Sequence, residues 1–163
     1  HGITIMTRRA GISMEGNLQS DTMALHKMVG KLLAGLPEGS VRTLRDPTRG
    51  GVATTLNEIA ENSALTVELS EEDLPVRPEV RAACEILGLE PLYLANEGKC
   101  LVIVSPDHAE KALNIMRATA EGTEAVAIGK LKEDKPGRVI INTPVGGARV
   151  VTPLHGEPLP RIC

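Results

Sequence analysis

The segment PRIC, which ends at Cys163, carries a thiol beyond the last apolar stretch of the chain. Nothing in the surrounding pattern predicts burial of this cysteine, and Pro153, Pro158 and Pro160 favour a stiff, extended arm around it. An exposed thiol can serve as a nucleophile or as a covalent attachment point. Arg161 favours the reactive thiolate, whereas a nearby α-carboxylate disfavours it. We therefore expect an arm that carries a thiol from one site to another.

The other two cysteines have a structural interpretation. Cys84 falls on the apolar face of a predicted helix and Cys100 within a predicted buried strand, and small buried thiols behave as core hydrophobes. Three cysteines without a CxxC spacing predict neither a disulfide framework nor a zinc site. We expect no metal ligands in this chain and a reducing, cytoplasmic location.

The segment RDPTRGGVATTLNEIA, from Arg45 to Ala60, joins a strand end to a helix through a glycine turn. Backbone N–H groups at the start of such a helix can bind phosphate, and Arg49, Gly50 and Gly51 are the candidate phosphate-binding residues. The spacing matches neither the P-loop nor the dinucleotide-binding fingerprint. An ordinary turn capped by an aspartate remains open as the alternative, with Asp46 as the cap.

A carboxylate precedes an apolar stretch in YLANEGKCLVIV, where Glu97 lies between Asn96 and Gly98. A carboxylate in a turn at the end of a sheet can act as a general base. The competing interpretation is a solvated turn residue, and the residue pattern alone favours it. The four histidines show no ligand spacing.

Composition limits the class of protein. The 163 residues are 42% hydrophobic but only 1% aromatic, which predicts an aliphatic core. A net charge of -3 without basic clustering argues against a nucleic-acid surface. No apolar run reaches the length of a membrane span, and no signal peptide is evident. The chain begins HGITIM, without an initiator Met, and we expect a fragment of a longer protein.

Periodicity predicts four helices and six strands. The helices are placed at Thr22–Leu36 with Ser20 or Asp21 as cap, Val52–Ala60, Val80–Leu87 ended by Gly88, and Ala109–Ala120 with Asp107 as cap. The strands are placed at Val41–Leu44, Leu65–Ser70, Lys99–Ser105, Ala125–Leu131, Arg138–Asn142 and Ala148–Thr152.

The order of these elements predicts one α/β sandwich-type domain over residues 1–152, followed by a flexible tail over residues 153–163. Lys99–Ser105 is apolar on both alternating faces and is expected to be a central strand that is covered on both sides. The last two strands are expected to form a hairpin around TPVGG, and Thr7–Gly16 to form a loop.

Three of these features occur together: DPTRGG before a helix, ANEG before an apolar strand, and PRIC at the carboxy terminus. In combination they resemble the HypE family of hydrogenase maturation factors, which are carbamoyl dehydratases. The resemblance covers the whole chain, and PRIC is its most specific element. DPTRGG is shared with the wider superfamily of aminoimidazole ribonucleotide synthetase and selenophosphate synthetase. The chain resembles the carboxy-terminal domain alone, without the amino-terminal ATP-binding domain that holds most acidic metal ligands and the dimer interface.

The resemblance implies an α+β fold with a mixed β-sheet between helix layers, like the carboxy-terminal domain of aminoimidazole ribonucleotide synthetase. It also implies a reaction in which Cys163 accepts a carbamoyl group and ATP with Mg²⁺ drives its dehydration to thiocyanate, Glu97 serving as the base. The cyanide would pass to the iron of nickel–iron hydrogenase. The implied partners are the carbamoyltransferase HypF and the HypC–HypD iron-carrying complex, with a homodimer of the full-length protein.

Two other functions are weighed against this one. The chain can be a docking module that only presents Cys163 to maturation partners, without catalysis. It can also belong to an ATP-dependent synthetase of the superfamily, although such relatives do not require a terminal cysteine. We expect no ATP hydrolysis by the isolated domain, because the ATP-binding half is absent.

Overall fold

The computed structural model of the protein describes residues 1–11 and 18–154. The helices of this part of the chain are α1 (Gly2–Arg9), α2 (His26–Gly35), α3 (Gly51–Ser63), α4 (Pro78–Leu87) and α5 (Ala109–Arg117). Its strands are β1 (Val41–Arg45), β2 (Thr66–Ser70), β3 (Leu101–Val104), β4 (Gly129–Lys132), β5 (Arg138–Asn142) and β6 (Ala148–Val151). Short 3₁₀ turns cover Pro91–Tyr93 and Pro106–His108.

The strands form two sheets. The larger sheet has the order β4-β2-β5-β6, in which β2 and β5 are parallel and the other neighbours are antiparallel. The smaller sheet is the antiparallel pair β1-β3. The predicted α+β fold with mixed strand pairing is thus confirmed, and so is the hairpin of β5 and β6 around residues 143–147.

One face of the larger sheet packs against α3 and forms the main core. Alternate residues of β2, β5 and β6 point toward the helix, as the period of two in a half-buried strand requires. Burying each large aliphatic side chain contributes about 1.5–3 kcal/mol. The core is aliphatic, as the composition predicts, and its buried members are Ala53, Leu56, Ile59, Ala60, Val67, Leu69, Leu92, Val139, Ile141 and Val151.

The strand β3 is where the prediction was partly wrong. It pairs only with β1, in the two-stranded sheet, so it is not a central strand. Both of its faces nevertheless contact apolar groups: Leu101 and Ile103 pack against the main core, whereas Val102 and Val104 pack against the α2–α5 cluster. A strand that is apolar on both faces therefore indicates contact with two cores. It does not indicate how many strands pair with it.

The helix boundaries give three further corrections. The loop predicted from Thr7 is wrong at its start, because Thr7 lies in α1, and the rest of it from residue 12 lies outside the described residues. The helix α2 begins at His26, after the predicted Thr22, and neither Ser20 nor Asp21 caps it. Asp107 does not cap α5, whose N-cap is His108 with no side-chain cap bond.

The two inner cysteines differ in burial. Cys84 is 2% exposed in α4 and contacts the cluster that includes Ile3, Ala83 and Leu94, as predicted. Cys100 precedes β3 and is only half-buried, so its prediction as a buried strand residue was wrong. Among the described residues, no helix has the length and apolar character that crossing a bilayer requires.

Candidate functional site

Three segments that are far apart in the sequence meet at one place in the fold. The backbone N–H of Gly2, in the HG segment, donates a hydrogen bond to the carbonyl of Ala95 at 2.9 Å. The N–H of Asn96, in ANEG, donates to the carbonyl of Pro47 at 3.1 Å, which joins this segment to DPTRGG. The segments that the sequence singles out near residues 1, 46 and 96 therefore form one site.

Two consecutive glycines shape the DPTRGG turn. Gly50 and Gly51 both have a left-handed backbone, with φ of 68° and 65°. A Cβ on Gly51 would lie 2.5 Å from the carbonyl oxygen of Leu92. Glycine is required there both by the backbone conformation and by the close approach of the neighbouring chain. The turn thus places the start of α3 directly against residues 92–94.

The amino-terminal end of α3 is electropositive. Gly50 is its N-cap and no side chain caps it, so the predicted capping by Asp46 is wrong. Within the part of the chain that the structure describes, the N–H groups of Val52 and Ala53 have no hydrogen-bond acceptor. Arg49 is exposed and forms no ion pair with any described residue. Free N–H groups, the helix dipole and a cation together suit an anionic group.

The side chain of Thr54 lies in the first turn of α3. Its Oγ1 atom is shielded from solvent and has no hydrogen-bond partner among residues 1–11 and 18–154. A buried hydroxyl without a partner costs free energy. No local pattern singles out this residue, because threonine is common near helix starts.

Glu97 is half-buried and directly follows Asn96, whose N–H is bonded to Pro47 in the turn that leads into α3. Its backbone N–H donates to Oδ1 of Asp21 at 3.4 Å. The Glu97 carboxylate accepts no hydrogen bond from the residues that the structure describes, which leaves its oxygens available to take a proton.

Asp21 was missed as a site residue. Its Oδ2 accepts a hydrogen bond from Nζ of Lys99 at 2.6 Å, and its Oδ1 accepts one from the main-chain nitrogen of His1 at 2.5 Å. Partial burial by itself raises the pKa of Asp21, but the hydrogen bond and the charge of the Lys99 ammonium oppose it and lower the pKa below its usual range. Asp21 is 76 positions from Glu97 in sequence, so no spacing could have revealed the contact.

Cys100 is the thiol nearest in sequence to Glu97. Burial raises the pKa of its thiol, which keeps it protonated and weakly reactive. Cys163 lies outside the described residues, as does the rest of the chain from residue 155. Within the described residues, no group of three or more His, Cys, Asp or Glu side chains is arranged to hold a metal ion.

Comparison with known families and proteins gives a consistent result. Residues 1–142 match the family described as AIR synthase related protein, C-terminal domain. All 163 residues align at 50% identity with 47% of the carbamoyl dehydratase HypE of Azotobacter vinelandii. The HypE of Escherichia coli is 40% identical over the same residues, again across 47% of its length. The chain thus spans about half the length of the curated relatives it matches.

Solved structures agree with these matches. A crystal structure of the hydrogenase maturation protein HypE superposes with a TM-score of 0.93 at 44% identity, covering all of this chain and 52% of that one. HypE in complex with ATP gives a TM-score of 0.91 at 43% identity, over all of this chain and 49% of that one. A HypE–HypF complex gives 0.88 at 41% identity, over 94% of this chain and 49% of the other.

Proposed function

The chain belongs to the family of AIR synthase related proteins, C-terminal domain, and we propose that it is the carboxy-terminal half of an ATP-dependent carbamoyl dehydratase. The observation that carries the proposal is the position of Glu97, a half-buried carboxylate with no hydrogen bond or ion pair among the described residues. It directly follows Asn96, whose N–H donates to the carbonyl of Pro47 in the turn that leads into α3. Relatives that align with the whole chain bear the name carbamoyl dehydratase, and one related structure contains ATP.

The proposed reaction begins with a carbamoyl group joined to the sulfur of Cys163. The amide oxygen is a poor leaving group, so ATP first phosphorylates it, with release of ADP and one proton. The C–O bond then breaks, the second nitrogen proton is lost and phosphate leaves. The product is an S–C≡N thiocyanate. In sum, one thiocarbamate and one ATP give thiocyanate, ADP, hydrogen phosphate and one proton. No redox change occurs.

Glu97 is proposed to take the proton from the carbamoyl nitrogen. Its carboxylate has the chemistry for this role, because it is ionisable and has no hydrogen-bond partner in the described part of the chain. Partial burial of Glu97 reduces its contact with water. Water would otherwise hydrolyse the activated carbamoyl group.

Arg49, Gly50 and Gly51 are proposed to bind the phosphate that forms and leaves. Free N–H groups at a helix start and an exposed guanidinium stabilise negative charge as it develops. We place the Mg²⁺ ligands, and most of the ATP site, in an amino-terminal half like that of the relatives, which are about twice as long as this chain.

The tail from residue 153 is proposed to be a mobile carrier for the thiol. Cys163 would be loaded at the active site of a carbamoyltransferase, for which HypF is our candidate. The related HypE–HypF complex supports HypF as a partner. The HypC–HypD complex would receive the cyanide, and the full-length protein would be a homodimer. A cytoplasmic location fits a carrier thiol that must stay reduced.

The test uses the full-length protein with the carbamoyltransferase, carbamoyl phosphate and ATP, followed by intact mass spectrometry. Wild type should pass from the carbamoyl adduct to an adduct that is lighter by one water. Cys163→Ala should gain neither adduct, whereas Cys100→Ala should gain both. An adduct that persists in Cys163→Ala would contradict the assignment. A wild-type protein that is loaded but never dehydrated would support a docking module instead.

Phosphate binding has its own test. Arg49→Ala should slow ATP-dependent dehydration by roughly 10-fold or more, because a charged donor to the developing phosphate is lost. Its stability should change by less than about 0.5 kcal/mol, since the side chain is exposed and unpaired among the described residues. Arg42→Ala, at an exposed arginine in β1, is the matched control. Equal rates for Arg49→Ala and Arg42→Ala would leave DPTRGG with only a structural role.

A further inference from the structure

We propose that Asp21 is the positioning residue for Glu97, acting through the turn formed by residues 96–99; this inference rests on the proposed role of Glu97 as the base. Asp21 itself touches no reacting atom in this account. It fixes the backbone from which the Glu97 carboxylate projects, and it does so from a segment far away in the sequence.

Asp21 contacts the turn at two places, Glu97 and Lys99. Oδ1 of Asp21 accepts the N–H of Glu97 at 3.4 Å, and Oδ2 accepts Nζ of Lys99 at 2.6 Å. One carboxylate therefore binds the main chain at Glu97 and the side chain two residues later. A charged acceptor makes both hydrogen bonds stronger than a neutral acceptor would.

Gly98 lies between Glu97 and Lys99 and packs against the backbone of residues 21–23. A Cβ on Gly98 would lie 1.6 Å from the carbonyl oxygen of Asp21 and 3.0 Å from the nitrogen of Met23. The segment 21–23 therefore lies directly on the turn, with no room for any side chain at position 98. The side chain and the backbone of Asp21 together hold three consecutive residues, 97–99.

The burial and charge of Asp21 make this contact strong. Its side chain is 21% exposed, compared with 48% for Lys99, so the pair is shielded mainly on the Asp21 side. The depressed pKa of Asp21 keeps the carboxylate ionised throughout the neutral range. A partly buried, charge-assisted contact resists thermal displacement better than a fully exposed ion pair.

A loss of position has a predictable effect on catalysis. A shift of about 1 Å in a catalytic group can reduce the rate by roughly 10²-fold. Asp21→Ala removes the hydrogen bonds from Glu97 and Lys99, together with the one from the main-chain nitrogen of His1. It should slow dehydration of the thiocarbamate by about 10- to 100-fold. Asp21→Asn keeps an acceptor for the Glu97 N–H and should retain more of the rate. Loading of Cys163 should be unchanged in both variants, because it takes place at the partner's active site.

The decisive experiment is a double-mutant cycle in the full-length protein. The protein is first carbamoylated, ATP is then added, and the single-turnover dehydration rate is followed by mass spectrometry. The variants are Asp21→Ala, Glu97→Gln and the double variant, with Asp107→Ala as the matched control at an exposed aspartate. If Asp21 acts only through Glu97, then Asp21→Ala should slow the wild-type protein but produce no further slowing in the Glu97→Gln protein.

The outcomes separate this inference from the proposed function. An equal slowing by Asp21→Ala in both backgrounds, or no slowing in either, overturns the positioning role. An unchanged dehydration rate in Glu97→Gln overturns the proposed base, and the positioning role with it. Should Asp21→Ala fail to fold, Lys99→Met removes the same ion pair from its exposed side. That variant should slow dehydration several-fold only when Glu97 is present, and an unchanged rate overturns the inference.

Discussion

The α-carbon of Gly51 lies so close to the carbonyl of Leu94 that a Cβ on the glycine would come within 2.6 Å of the carbonyl oxygen. This contact joins the start of α3 to the chain that leads into Glu97. The relative position of the proposed base and the proposed phosphate site therefore depends on a residue without a side chain.

Gly51→Ala should destabilise the protein by more than about 2 kcal/mol, because it combines a strained backbone with a backbone clash. The matched control is Gly88→Ala at the end of α4. Gly88 has the same φ of 65° as Gly51, but a Cβ there meets nothing within 4 Å. That control should cost only about 1 kcal/mol, the strain alone. If urea denaturation shows equal losses of unfolding free energy for the two variants, residues 92–94 leave room for a Cβ at position 51.

The stability contributed by Asp21 should depend on pH in a defined direction. Its pKa in the folded protein lies below the ordinary value of 3.8, so on acidification the unfolded chain takes up the proton first. The stabilisation is therefore complete above that ordinary value and is lost as the pH falls toward the folded pKa. Asp21→Asn should be less stable than wild type by about 1 kcal/mol at pH 7.

The measurement is the difference in unfolding free energy between wild type and Asp21→Asn, taken at a series of pH values. We expect this difference to shrink steadily as the pH falls below about 4. Asp107→Asn, at an exposed position, is the control and should show no comparable difference at pH 7. A difference for Asp21→Asn that stays constant down to pH 2 would contradict the depressed pKa.

The two inner cysteines should differ in their contribution to stability. Cys84→Ala removes a sulfur from a site that is 2% exposed and should cost about 1–2 kcal/mol. Cys100→Ala acts at a half-buried site whose surroundings can relax or admit water, and it should cost less than about 1 kcal/mol. Urea midpoints measured under reducing conditions test this order. A larger loss at Cys100 would show that the site is more tightly packed than its exposure indicates.

Local signals explain which elements were predictable. The helices α3 and α4 follow from their apolar periodicity and from the Gly and Pro residues at their ends, and β2, β5 and β6 follow from alternation. The helix α1 was missed because GITIMTRR contains glycine and β-branched residues, which have low helix propensity. Tertiary contacts hold it instead, through packing of Ile3 on α4 and the bond from Gly2 to Ala95.

The same distinction applies to the site. Arg49, Gly50 and Gly51 stood out because a glycine turn before a helix has a local signature. The residue pattern around Glu97 favoured a solvated turn residue, and the resemblance to the HypE family is what singled it out. Asp21 had only the signature of a helix cap, and its actual partners, Lys99 and the N–H of Glu97, are set by long-range folding. The pairing of β3 with β1 could not be predicted from local sequence either, because sheet order is determined by contacts between residues distant in sequence.

Glu97 is proposed to remove the carbamoyl proton and to take no part in loading the thiol. The most direct measurement is intact mass spectrometry of the full-length Glu97→Gln variant, incubated with the carbamoyltransferase, carbamoyl phosphate and ATP. Glutamine keeps the size and the hydrogen-bonding ability but cannot act as the base. The carbamoyl adduct on Cys163 should form at the wild-type rate and then accumulate, because its dehydration slows by roughly 10²–10⁴-fold. Conversion of that adduct to thiocyanate at the wild-type rate would contradict the account.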